Sequence, residues 1–210
     1  MFYIKKFWIL FVETLVIVGL TFLNRVLPSI SIYSLRLSAN VAILLLLGAS
    51  ALVAIKLSGI KIDCKWGQTK QFAIGAGVAL ALSLLLAWIP ALCHFSLVGA
   101  HVDFVLWRLF YNLFYYFLLV GPVEELIFRV YYQKALGGMT KCRWAGVLLS
   151  AVLFGLWHLI NGSWVQVAFT FGIGVVFGMV KEYVKEMHYP GIAFSHGLYD
   201  FLNYVVTLVL

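Results

Sequence analysis

Charge is the scarcest property of this chain. Of its 210 residues only 11% are Asp, Glu, Lys or Arg, and just eight are acidic. That leaves too little polar surface for a soluble globule, and with 64% of residues hydrophobic the solvent for much of the chain is lipid. Cysteine is also sparse. Cys64, Cys93 and Cys142 are odd in number, far apart and never in a C-x-x-C pattern, so neither a disulfide framework nor a thiolate zinc site is indicated. No Gly/Ser-rich linker, charge block, low-complexity tract or internal repeat is visible, and no segment outside the apolar stretches is large enough to fold alone. The reading is one integral membrane domain over residues 1–210.

What is abundant is long apolar runs. A spanning helix needs about 20 apolar residues, and on that criterion seven spans are expected, with six to eight the range. They cover residues 7–23, 37–55, 71–89, 104–121 with a continuation to 136, 144–160, 164–180 and 191–210. The fold class is therefore all-α, a polytopic membrane helical bundle. The first run resembles a signal peptide, but it carries Glu13, lacks a small-x-small cleavage site and is followed by Asn24-Arg25, so it reads as a retained span. The fourth run is too long for one perpendicular crossing and is expected to tilt, protrude or kink near Gly121-Pro122, where the missing proline N–H interrupts the ladder.

Basic residues give an orientation. Arg25, Arg36 and Arg108 fall on one set of loops, and the other twelve Lys and Arg fall on the N-terminus and loops 56–70, 129–143 and 181–190, with Arg129 also compatible with a place within the bilayer. The positive-inside rule then puts the N-terminus in the cytoplasm and the C-terminus outside. The net charge of +7 reads as topology and contact with anionic lipid. Cations this dispersed argue against nucleic acid as a partner.

Against this background two adjacent carboxylates stand out. Glu124 and Glu125 sit in an apolar stretch with Arg129 four residues beyond the second. An ionisable residue at bilayer depth is costly, and by default points to function. Residues four apart share a helical face and neighbours diverge by about 100°. Glu125 can therefore pair with Arg129 while Glu124 points elsewhere and can act on a proton. The same spacing is compatible with a purely structural ion-pair network.

Two further i, i+4 pairs, Phe154 with His158 and His196 with Asp200, lie in later spans. Helical rise sets Glu124 and His158 each on the order of 20 Å from the cytoplasmic loop between them, and His196 and Asp200 roughly 8 to 15 Å from the Pro190-Gly191 turn. His158 alone reads equally well as an interfacial histidine, and His196 with Asp200 as a helix-stabilising pair. The joint occurrence on three spans favours a site. His94, His101 and His188 fall in or beside loops and are not candidates. Gly75, Gly77, Gly172, Gly174 and Gly178 are expected to allow close helix approach, and Gly172-x-Gly174 lacks the context of a phosphate loop. The Asn161-Gly162-Ser163 sequon carries no weight so close to a span end.

These motifs resemble a family. Gly121-Pro122-Val123-Glu124-Glu125-Leu126-Ile127-Phe128-Arg129 is similar to the Glu-Glu-x-x-x-Arg motif of the CPBP family, the CAAX-protease and bacteriocin-processing (Abi) intramembrane proteases. Phe154-Gly155-Leu156-Trp157-His158 is similar to its Phe-x-x-x-His motif and His196-Gly197-Leu198-Tyr199-Asp200 to its His-x-x-x-Asn/Asp motif. The resemblance covers residues 104–210, which would form the catalytic core. It departs from the CAAX-processing members at Asp200, where those carry Asn.

The resemblance implies an intramembrane endopeptidase acting on a membrane-associated or lipid-anchored peptide or protein. Glu124 with His158 would activate water, His196 with Asp200 would stabilise the oxyanion, and Glu125 with Arg129 would hold them in place. Zinc held by Glu124, His158, His196 and Asp200 is the other form of the site. The metal-free glutamate form is preferred because His-Glu-x-x-His is absent. A bacterial inner or plasma membrane is the expected location. The family also allows a non-catalytic regulator or a bacteriocin immunity protein. A proton-coupled transporter would more often show an internal repeat or paired broken helices.

Overall fold

A computed structural model of the chain describes residues 2–29, 31–94, 99, 101–160 and 162–209; the Asn161 sequon position lies outside them. Among the described residues there is no strand, and the helices form seven runs. Helix α1 is Phe2–Val26, closed by a 3-10 turn at Leu27–Ser29, and α2 is Tyr33–Ser58. The third run is α3, Lys70–Ser83, a π-helical stretch Leu84–Trp88 and α4, Ile89–Leu92. The fourth is α5, Leu106–Tyr115, a π stretch Tyr116–Val120, α6, Gly121–Glu125, a second π stretch Leu126–Tyr132 and α7, Gln133–Thr140. Last come α8, Arg143–His158, α9, Trp164–Tyr183, and α10, Tyr189–Val209.

In hydrocarbon every backbone polar group must be satisfied within the segment, and helices do that. Their ends are built from local chemistry. Gly59 closes α2 at φ 67°, its N–H reaching back to the carbonyls of Ile55 and Lys56. Ser163 opens α9, its hydroxyl accepting from the Gln166 N–H at 3.3 Å. Four stretches are long and apolar enough to cross a membrane: Ile4–Leu23, Tyr33–Ser58, Lys70–Leu92 and Trp164–Tyr183. Helix α8 is shorter at 16 residues, while α10 and the fourth run are diluted by the polar groups of the candidate motifs.

The interruption expected at Pro122 takes another form. The helix does not stop. It widens just before the proline, so that the Gly121 N–H donates to the Tyr116 carbonyl, five residues back. The same device precedes Pro90, where the Ile89 N–H bonds to the Leu84 carbonyl. A π turn shifts the ladder by one residue and absorbs the donor that proline lacks.

By contact density the chain divides into two units, each assembled from separated parts of the sequence. The first comprises Met1–Asp63 and Val123–Lys185. Its core includes Leu47, Ala51, Ile127, Val130, Tyr131, Val147, Ala151 and Phe177, all sealed from solvent. Helices α8 and α9 touch backbone to backbone. A side chain at Gly155 would lie 2.9 Å from the Val167 carbonyl, and one at Gly174 would meet Ala151 and the Phe154 ring. Gly178 likewise abuts Gln133 and Val147, whereas Gly172 faces open space.

The second unit comprises Cys64–Pro122 and Glu186–Leu210. Here α10 packs on α3 through polar contacts between small groups: the Ser195 hydroxyl donates to the Gly75 carbonyl at 2.8 Å, and the Gly191 N–H to Gln71 Oε1 at 3.0 Å. On another face, Gly121 and Gly197 let α10 meet the fourth run, since a side chain at Gly121 would lie 2.5 Å from the Ala193 carbonyl. Gly75 serves the expected close approach and Gly77 does not.

Candidate active site

In the first unit, α6 and the π stretch after it carry the Glu-Glu-x-x-x-Arg residues. Every residue from Leu126 to Tyr132 is buried, so the widened helix is enclosed on all sides. Glu125 and Arg129 are completely buried and Glu124 is 7% exposed. Arg129 Nε lies 3.4 Å from Glu125 Oε2, and Glu124 is also within electrostatic reach of the guanidinium. Two carboxylates thus share one cation. Burial makes this arrangement sensitive to proton count, because an uncompensated charge there is expensive.

The Phe-x-x-x-His motif of α8 meets this cluster through its phenylalanine. The Arg129 guanidinium sits 4.8 Å from the centre of the Phe154 ring, a cation over an aromatic face in a water-poor setting. The His158 ring stands edge-on to the same phenylalanine at 4.7 Å, and His158 Nδ1 lies 2.8 Å from the Phe154 carbonyl. A carbonyl only accepts, so in this contact Nδ1 carries the proton. Spacing alone left the role of the phenylalanine open. Its ring is the platform for both Arg129 and His158.

Neighbouring contacts lock both elements. Ser150 Oγ donates to the Phe128 carbonyl, Phe128 packs on Phe154 and Trp157, and Trp157 Nε1 donates to Thr21 Oγ1 on α1. Thr14 Oγ1, on the same helix, shares a 2.8 Å hydrogen bond with the Tyr132 hydroxyl. Helix α1 therefore braces the π stretch beside Arg129 and α8 beside His158, a role not legible in its apolar sequence.

In the second unit, α10 holds His196 and Asp200 one turn apart, with Nε2 3.5 Å from Oδ2. The histidine side chain is 4% exposed and the aspartate 22%. Gly197, between them in sequence, abuts the backbone of Tyr116 and Phe117, so its lack of a side chain seats the motif against the fourth run. One turn further, Asn203 Oδ1 accepts from Ser83 Oγ at 3.1 Å. His188, just before the start of α10, is hydrogen-bonded through Nε2 to Gln68 Oε1.

The donors weighed for zinc divide two and two, Glu124 and His158 in the first unit, His196 and Asp200 in the second. Within either unit, among the described residues, no three His, Cys, Asp or Glu side chains gather closely enough to hold a metal ion. A tetrahedral catalytic zinc needs three protein ligands and an open position. Neither unit supplies that set by itself.

Residues 106–202 match the family model for type II CAAX prenyl endopeptidase Rce1-like proteins, a segment that contains all three motifs. No curated protein and no solved structure matches the chain.

Proposed function

We propose that this membrane protein, whose residues 106–202 belong to the type II CAAX prenyl endopeptidase Rce1-like family, is an intramembrane endopeptidase that cleaves a membrane-associated or lipid-anchored peptide or protein. The observation carrying this reading is the buried pair of carboxylates sharing Arg129, beside a phenylalanine ring that also carries His158. In the proposed reaction Glu124, with His158, takes a proton from water as its oxygen adds to the scissile carbonyl carbon. His196, oriented by Asp200, stabilises the oxyanion. Collapse breaks the C–N bond, and the proton passes to the leaving amine. Glu125 and Arg129 hold Glu124 in place.

The test is the full-length protein reconstituted in liposomes with lipid-anchored peptides, hydrophobic leader peptides and C-terminal sorting tails, with products read by mass spectrometry. One defined internal cut is the expected result. An intact panel, together with a cellular phenotype rescued equally by wild type and Glu124→Gln, would favour a non-catalytic regulator.

The reaction is proposed to be metal-free. Cleavage should persist through strong chelation, and active protein should contain no stoichiometric zinc. Loss of activity on chelation with recovery on zinc addition would replace the base mechanism with a metal-activated water.

The orientation is proposed from charge, with segments 56–70, 134–143 and 181–190 on the cytoplasmic side; Arg129, counted with the second of these from sequence, is buried in the helix instead. Cys64 and Cys142 are both exposed, so each should react with an impermeant maleimide only in inverted vesicles. Labelling of either in intact cells would reverse the map.

A further inference from the structure

Helices α1 and α2 lie side by side, and an open apolar groove of about 580 Å³ runs between them, walled by Val12 and Val16 on one side and Val53 and Ala54 on the other. Both helices are long and apolar enough to cross a membrane, so the groove opens into hydrocarbon. Its lining includes a carboxylate that the proposed mechanism does not use. Glu13 is 5% exposed, lines the groove and accepts from Ser50 Oγ at 3.0 Å. The same hydroxyl also faces the Leu47 carbonyl at 2.9 Å. A hydroxyl has one proton to give, so Ser50 cannot serve both acceptors at once. Lys5, at one end of the groove, is roughly 12 Å from Glu13 along the helix.

We propose that the α1–α2 groove docks a membrane-spanning helix of another protein, one carrying a lysine or arginine at the depth of Glu13. Charge complementarity carries the choice. Ionisable groups at bilayer depth pair with one another, and a helix brings both an apolar face for the groove and a cation for the carboxylate. An acyl chain has no donor to offer Glu13, and a lipid phosphate would engage only Lys5 at the end. A second copy of this chain, docked in parallel about a two-fold axis, would set Glu13 against Glu13. The proposal stands independently of proteolysis.

The experiment uses full-length protein in nanodiscs and fluorescent synthetic single-span Leu/Ala helices that differ only in a central Lys, Leu or Glu, with binding read by energy transfer. The Lys helix should bind about tenfold more tightly than the Leu helix, and E13Q should erase that difference. Val53 is 57% exposed, so V53W can block the groove without disturbing the core and should weaken the Lys helix as well. If E13Q proves unstable, the peptide comparison and V53W decide the matter. Equal binding of Lys and Leu helices would overturn the proposal. So would self-association of the chain that V53W abolishes, or phospholipid held in the groove that the Lys helix fails to displace.

Discussion

Glu124→Gln is expected to abolish cleavage while the protein stays folded. The substitution preserves volume and hydrogen-bonding capacity at a position that is 7% exposed, so packing is conserved. It also removes one of two carboxylates that share a single guanidinium, leaving Glu125 and Arg129 balanced. What it removes is proton affinity. A positioned general base contributes about 10²- to 10⁴-fold, and a carboxamide cannot take a proton from water, so turnover should fall by at least about two orders of magnitude. The measurement pairs initial rates in liposomes with a thermal unfolding curve in the same lipid. Undiminished cleavage by the purified variant sinks the mechanism. Lost cleavage with a collapsed melting temperature would assign Glu124 to structure.

The largest stability effect belongs to Arg129→Ala. Its guanidinium is fully buried, 3.4 Å from Glu125 and stacked over Phe154. Removing one member of a buried pair leaves the other uncompensated and costs about 3 to 5 kcal/mol, with loss of the aromatic contact adding to it. The variant should therefore melt well below wild type and lose activity through misplacement of its neighbours. Glu125→Gln should also lower stability, and less steeply, because Glu124 still faces the cation. The informative control removes both members of the Glu125–Arg129 pair. In Glu125→Gln with Arg129→Met an apolar stem occupies the space over Phe154, and part of the stability should return, without activity, the remainder being the cost of Glu124 left without its cation. Wild-type melting by Arg129→Ala would show that the ion pair is not what holds this helix.

The contrast between these variants also separates what local spacing can reveal from what it cannot. Glu125 with Arg129 and His196 with Asp200 were legible as pairs because helical periodicity sets residues four apart on one face, and both pairs are found. Phe154 and His158 obey the same rule, but the sequence did not tell that the phenylalanine would carry Arg129, a residue on another element. The glycines make the same point. Gly174 and Gly172 stand in near-identical sequence surroundings, yet only Gly174 has a neighbouring helix against it.

By itself, then, the amino-acid order determined the solvent, the helical class, the run of seven helices and the motif pairs within each helix. All of these follow from hydropathy and a 3.6-residue period, which act over one or two turns. Only the tertiary structure decided that Pro90 and Pro122 are passed by π turns rather than breaks, that Arg129 lies over Phe154, and that α1 reaches Tyr132 and Trp157 through two threonines. The cross-helix contacts depend on which side chains meet from separate elements, and the threonine pairs span more than 100 residues of chain, as Thr14 meets Tyr132 at a separation of 118. Close packing in three dimensions selects such meetings, and no short-range period encodes them.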